Sequence, residues 1–394
     1  MTIVNKKQRI GMIVHQDYYV DGRVRNYVSY LSQINQGVDV LCTRRRSDQN
    51  SNGEDVNVRI ITIPISRYQK RMNYAMEYFL AFWLYFFRLT GLFFQNKYQV
   101  IHVHNMPDFL IFAALIPKIF GARLILDIHD PMPEFYQSKF GAKENSLIVR
   151  FIKFQEKLSI QFANAVVTAN ENFKEQLIQR GVPSSKVTVL PNVPNPKLFQ
   201  PKKLNQNGSE KITLIYPGTI APRYGLHIAI QAVAFLKEEY PNLTLQIIGS
   251  ANEYSTELEG LSESLGVRRM IDFHPAVSID RIPSLMQQAT IGIYPAIPDS
   301  HMEIATPTKV QEFVAVGLPV IASRIKVLTQ QFSDNAILYF PPGDAEQFSK
   351  QIKLLINNPS LGEKMVVAAR SEWRKFRDWD CEEKKYIKLL TSLK

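Results

Sequence analysis

Short apolar runs recur along this chain, each about one strand long and each followed by a longer stretch with helical spacing of its apolar positions. The runs are Ile10–Val14, Val38–Leu41, Val100–Val103, Leu124–Ile128, Ala165–Thr168 and Val187–Leu190, then Thr213–Tyr216, Leu243–Ile248, Ile291–Tyr294 and Val320–Ala322. This alternation predicts parallel sheets with crossover helices. It stops between Leu190 and Leu214 in a segment rich in Pro, Asn and Lys, then restarts in a strand ending at Tyr216-Pro217-Gly218-Thr219. Such a break marks a domain boundary. The expected domains are 1–200 and 208–375, followed by a terminal helix over 376–394 that Trp379 and the pattern Tyr386-Ile387-Leu389-Leu390 suggest. The fold class expected is α/β: two doubly wound, Rossmann-like domains facing a cleft, with ligands bound at the C-terminal ends of strands.

One segment interrupts the rhythm. Tyr74–Phe94 is dense in aromatics, but its uncharged core between Glu77 and Arg88 is ten residues, well short of the roughly 20 that a spanning helix needs. Two readings fit it: a helix lying in a membrane interface with Arg67, Lys70 and Arg71 reaching headgroups, or a crossover helix packed on the sheet.

Composition narrows the setting. The chain has 394 residues, 45% of them hydrophobic, enough for two cores. Cys42 and Cys381 are far apart and show no metal spacing, so neither a disulfide framework nor a zinc site is expected. The N-terminal stretch lacks the apolar run of a signal peptide, and a cytoplasmic setting is expected. Of the net charge of +11, residues 1–200 carry +10. Arg44-Arg45-Arg46 and the Arg67–Arg71 stretch concentrate it, which suits an anionic membrane surface or anionic acceptor. No nucleic-acid module accompanies these clusters, so nucleic acid is not an expected partner.

The clearest candidate chemistry lies in Ala305–Ser323. Pro307 sits near a helix start and Gly317 just past its end. A helix start favours phosphate through its open N–H groups and dipole. Lys309 adds a charge in the first turn, and Glu312 projects from the same face one turn on. Cation, hydroxyl binder and amides together suit a nucleotide diphosphate joined to a sugar. An ordinary αβ unit with a solvated Lys–Glu pair fits the same residues.

The chain resembles the retaining nucleotide-sugar glycosyltransferases of family 4, which have the GT-B fold. Asp21-Gly22-Arg23-Val24 looks like the family's first loop, Tyr98–His104 with Asp108 like its strand entering the cleft, and Leu126–Asp130 with Glu134 like its acceptor-side loop. Leu190-Pro191-Asn192-Val193 resembles the hinge, Tyr216–Leu226 the first donor loop, Ile247-Ile248-Gly249 the nucleotide-side strand end, and Pro307–Pro319 the second donor motif. The resemblance implies a transferase moving a hexose from an NDP-sugar, with retention, onto a glycan or lipid-linked glycan in cell-surface polysaccharide or glycolipid synthesis. It also implies a terminal helix packing back on the first domain.

Residue by residue, the resemblance implies a donor site at Gly218, Thr219, Arg223, Gly249, Thr308, Lys309 and Glu312, joined by Glu303 if its loop shifts by one residue, with His129 and Glu312 as catalytic candidates. His15, Arg23, Asp108 and Asp130 are candidates for the acceptor side. His102 and His104 share one face of a strand and read as structural or acceptor-side. The family's first motif glutamate is replaced by Ile304, with Glu303 beside it out of register; Thr219 and Tyr224 stand where Arg and Lys are usual, and Arg223 is displaced by one. No metal and no cofactor are expected, since GT-B enzymes use side chains and helix amides for the leaving group. Asp378-Trp379-Asp380 matches a metal-binding Asp-x-Asp only superficially. Two other functions remain open at this level: an NDP-sugar 2-epimerase of the same fold, and a non-catalytic sugar-nucleotide or glycan binder.

Overall fold

The computed structural model describes residues 9–43, 57–65, 71–201, 211–376 and 379–393. The clusters Arg44–Arg46 and Arg67–Lys70, the side chain of Arg71, and Asp378 lie outside the described residues. The chain divides into two compact units, Met1–Asn192 with Asp380–Lys394, and Val193–Trp379.

In the first unit the elements run β1 (Ile10–Val14), α1 (Gly22–Gln33), β2 (Val38–Thr43), β3 (Val58–Ile63), α2 (Arg71–Asn96), β4 (Val100–His104) and α3 (Leu115–Ile119). They continue with β5 (Arg123–Ile128), α4 (Met132–Phe140), α5 (Leu147–Phe162), β6 (Ala165–Thr168), α6 (Glu171–Gln179) and β7 (Val187–Val189). The second unit holds β8 (Ile212–Pro217), α7 (Leu226–Leu236), β9 (Leu243–Ile248), α8 (Glu253–Ser264), β10 (Ile271–His274), α9 (Ile282–Gln288), β11 (Ile291–Tyr294), α10 (Thr308–Val316), β12 (Val320–Ser323), α11 (Lys326–Thr329), β13 (Leu338–Phe340), α12 (Ala345–Asn357) and α13 (Pro359–Phe376). A last helix, α14 (Trp379–Ser392), ends the chain.

The strand orders are β3-β2-β1-β4-β5-β6-β7 and β10-β9-β8-β11-β12-β13, with parallel pairing in both sheets. Each order reverses beside its first strand, the arrangement of two Rossmann-like units. All ten predicted strands form. Three more, β3, β10 and β13, escape the apolar pattern, and each lies at a sheet edge. Edge strands bury less, so they tolerate the polar residues of VRIITI and IDFH, or can be as short as LYF.

Alternation along β4 sorts the first unit into layers. Ile101 and Val103 pack with Ala81, Tyr85 and Leu89 of α2 in one core cluster. His102 and His104 face the other way, where Tyr27 of α1 and Tyr386 of α14 lie 4.9 and 5.6 Å from the His102 ring. Tyr386 is fully buried, which anchors α14 in the first unit. The break between units falls at Asn192 and not at 200, because Phe199 is buried in the core of the second unit. The aromatic segment Tyr74–Phe94 lies in α2, a crossover helix: Glu77 meets His15 at 3.1 Å and the Tyr85 hydroxyl donates to the Val14 carbonyl at 3.0 Å. Among the described residues no helix is long and apolar enough to cross a membrane.

Candidate functional site

Two clusters of polar residues form at strand ends, one in each unit. In the first, β4 and β5 pair so that His104 stands opposite Asp127. Asp127 is completely buried, and its Oδ2 lies 3.3 Å from His104 Nδ1, 3.3 Å from His129 Nε2 and 3.7 Å from His102 Nε2. Arg23, from the first turn of α1, donates Nε to Oδ2 at 2.9 Å and Nη2 to Oδ1 at 2.8 Å, while its Nη1 donates to the Leu190 carbonyl at 2.6 Å. Asp21 caps that helix by accepting from Val24 N–H at 3.0 Å, which aims the first-turn arginine inward. Burial alone would push the Asp127 carboxyl up, but Arg23, His129 and His104 hold it well below the usual carboxylate range. Burial lowers the pKa of His102 and His104, so both are neutral at neutral pH. The Tyr386 hydroxyl lies 3.0 Å from His102 Nδ1.

His129 is the member of this cluster that reaches the surface, with 18% of its side chain exposed against none for His102, His104 and Asp127. Its ring is fixed from below by Asp127 and by His104 Nδ1 at 3.1 Å. Its backbone N–H donates to Asn105 Oδ1 at 2.8 Å, and Asn105 Nδ2 in turn donates to the Asp130 carbonyl at 2.8 Å and to Asp108 Oδ1 at 2.9 Å. Arg23, Asp108 and Asp130 are thus tied to the His129 loop. His15 packs against Glu77 and Tyr78. Burial, with Glu156 adding to it, pushes the Asp108 carboxyl up to about 7. Asn105 lies outside every motif stretch, and Asp127 lies inside the Leu126–Asp130 loop with nothing in the sequence to single it out. The register of β4 against β5 makes Asp127 a hub.

His102, His104 and Asp127 also hold ligand-type atoms within 4.8 Å of one another. Arg23 already takes both oxygens of Asp127. A fixed guanidinium against the shared carboxylate opposes a second cation, and the donor set fits a hydrogen-bonded cluster better than a metal site.

The second cluster gathers the donor-loop residues. β8 ends at Gly218, whose φ of +143° is a glycine conformation. A Cβ there would lie 2.0 Å from Lys309 Cε and 2.7 Å from its Nζ, so the lysine lies directly on this backbone. The Lys309 ammonium sits 5.4 and 4.9 Å from the ring centroids of Tyr216 and Tyr224, an aromatic cradle for the cation that sequence reasoning passed over. Gly249, at the end of β9, meets the same loop: a Cβ would stand 2.3 Å from the Gly218 carbonyl oxygen.

Pro307 and Gly317 bound α10 as the sequence pattern predicts. Pro307 makes no side-chain cap, and Gly317 stops the helix in the left-handed region at φ 78°. Arg370 donates to the Val314 and Ala315 carbonyls at the other end, at 3.3 and 3.1 Å. Thr308 opens the helix, half-buried, and Glu312 stands one turn on; burial raises its carboxyl to about 7 against the pull of Lys309. Arg223 lies in the turn Pro222–Tyr224, its guanidinium 5.3 Å from the Tyr224 ring. The Thr219 carbonyl accepts from the Tyr216 hydroxyl at 2.9 Å, and its side chain is exposed. Glu303 accepts from the Lys326 N–H at 3.0 Å, at the start of α11. The structure brings Gly218, Gly249 and Lys309 into direct contact; Glu303 caps another helix.

Comparison with known proteins matches both units. Residues 23–197 match the model described as Glycosyltransferase Family 4, and residues 197–372 that described as Glycosyl transferases group 1. The O-antigen chain mannosyltransferase RfbU of Salmonella typhimurium is 23% identical over 334 residues, covering 83% of this chain and 84% of the relative. Sucrose-phosphate synthase of Thermosynechococcus elongatus superposes with a TM-score of 0.77 at 16% identity, covering 98% of this chain and 99% of that one. Anabaena HepE in complex with UDP-glucose superposes at 0.70 and 14% identity, covering 98% and 99%.

Proposed function

We propose that this chain, a glycosyltransferase of the GT-B fold similar to family 4, transfers a hexose from a nucleoside diphosphate sugar to a glycan or lipid-linked glycan, with retention at the anomeric carbon. The observation that carries the donor class is the contact of Lys309 with the Gly218 backbone at the open start of α10. In the reaction the C1–O bond to the diphosphate breaks as negative charge grows on the leaving group, and the acceptor oxygen bonds to C1 on that same face while its hydroxyl proton passes to the departing diphosphate oxygen. Lys309, Arg223 and the first amides of α10 stabilise that charge without a metal ion. Glu312 accepts hydrogen bonds from the donor's ribose hydroxyls. The hexose and the glycan acceptor are supported by the mannosyltransferase relative, and the nucleotide sugar by the UDP-glucose held in HepE. Cys42 and Cys381 are both free thiols, which supports a reducing cytoplasmic setting.

Thermal shift with UDP, GDP and ADP tests the donor assignment. One of the three is expected to stabilise the protein, by about 2.7 kcal/mol at a hundred times its dissociation constant. Lys309→Ala is expected to weaken that nucleotide by about 1.5–3 kcal/mol, the size of a charge-assisted contact. Equal affinity in the variant removes Lys309 from the donor site.

A further inference from the structure

The helices that cover one face of the first sheet are apolar on both sides. On the inner side of α2 lie its own Ala81, Tyr85 and Leu89, all fully buried; on its outer side Phe79, Trp83 and Phe87 continue the helical spacing into solvent, Phe87 at 66% exposure. On α5, Val149, Ile152 and Ile160 face inward, while Leu147, Phe151, Phe154 and Leu158 form an outer stripe at i, i+4, i+7 and i+11, Leu147 at 82% and Phe151 at 62%. The end of α3 joins the two: Phe120, 63% exposed, meets Phe94 of α2 at 5.4 Å, and the Lys118 ammonium sits 4.0 Å over the Phe162 ring of α5. Three helices on one side of the sheet, joined at this end, thus each turn aromatic or aliphatic side chains outward, more than singly scattered exposed apolar residues explain.

The outward charges of the three helices themselves have one sign. The three helices carry two carboxylates, Glu77 and Glu156, and both are buried against His15 and Arg180. Their other charged residues with described side chains are Arg88, Lys118, Arg150, Lys153 and Lys157. Beside α5 a groove of 650 Å³ is lined by Lys153, Lys157, Lys186 and Arg180, the last paired with Glu156, which also lines it; Lys153 meets Glu144, just before the helix, at 3.1 Å, so Lys157 and Lys186 are the groove's cations left for an anion. A second copy of the chain paired on this face would set cations against cations. An anionic bilayer satisfies both halves of the surface: acyl chains and the interface take the aromatic stripe, and phosphate headgroups take the cations and the groove.

We propose that the outer face of α2, α3 and α5 docks the protein on an anionic phospholipid bilayer, with the α5 stripe inserted and Arg150, Lys157 and the groove on the headgroups. This surface lies on described helices, apart from the basic clusters that first suggested a membrane in the sequence. It does not depend on the donor chemistry, so a failed membrane test leaves glycosyl transfer standing.

Flotation of the full chain with phosphatidylglycerol-containing and pure phosphatidylcholine vesicles tests it. The wild type is expected to float with the anionic vesicles only, less so at high salt, and brominated acyl chains are expected to quench Trp83. Arg150→Glu with Lys157→Glu, and separately Phe151→Ser with Phe154→Ser, should each lower partition about tenfold or more while keeping the wild-type unfolding temperature. Wild-type protein left in the soluble fraction, variants that float like wild type, or a dimer that Phe151→Ser with Phe154→Ser dissociates, would each overturn the proposal.

Discussion

Asp127→Ala is expected to destabilise the protein by about 3–5 kcal/mol, the cost of leaving a buried charge without its partner. Arg23 would keep its guanidinium inside the first unit with only the Leu190 carbonyl to receive it, and His104 and His129 would lose the oxygen they share. Denaturant unfolding followed by tryptophan fluorescence and far-UV circular dichroism measures the change. Removing both charges, as Arg23→Leu with Asp127→Leu, should recover part of the loss, since a pair replaced by apolar groups leaves no charge stranded. A single variant within about 1 kcal/mol of wild type, the range of a surface ion pair, would mean that the cluster is far wetter than its burial implies.

His129→Ala is expected to lower kcat by roughly 10²-fold or more and to leave nucleotide affinity nearly intact. The His129 ring is held by Asp127 and His104 and its backbone by the Asn105 amide oxygen; in the proposed reaction the ring would act on the reacting sugar and not on the diphosphate. Single-turnover kinetics and nucleotide titration read the two quantities separately. Near-normal kcat would return His129 to a packing role. A fall in nucleotide affinity equal to the fall in kcat would place it on the nucleotide instead.

The parts of the molecule legible in the sequence are those set by local spacing. Central strands announce themselves as unbroken apolar runs because both of their faces are covered, and Pro307 and Gly317 mark α10 because each suits one end of a helix and not the other. What depends on distant pairing is hidden. Asp127 gains partners from Arg23 on α1 and from His102 and His104 on β4, and Arg23 is tied in turn to the Leu190 carbonyl, none adjacent in sequence. Tyr216 and Tyr224 read as strand and loop aromatics until Lys309 is seen between them. The outer stripe of α5 follows a simple helical period but passes for core, since the sequence does not say that the inner face is already filled by Val149, Ile152 and Ile160.

The most direct test of glycosyl transfer is proton NMR of the purified protein with a panel of UDP-, GDP- and ADP-hexoses in the presence of EDTA. One donor is expected to be consumed, free nucleoside diphosphate to appear with the sugar on water or acceptor in the donor's own anomeric configuration, and Lys309→Ala to slow this turnover. An isomeric nucleotide sugar in place of free diphosphate, turnover that requires added manganese or magnesium, or no change in any of the donors would contradict the proposed function.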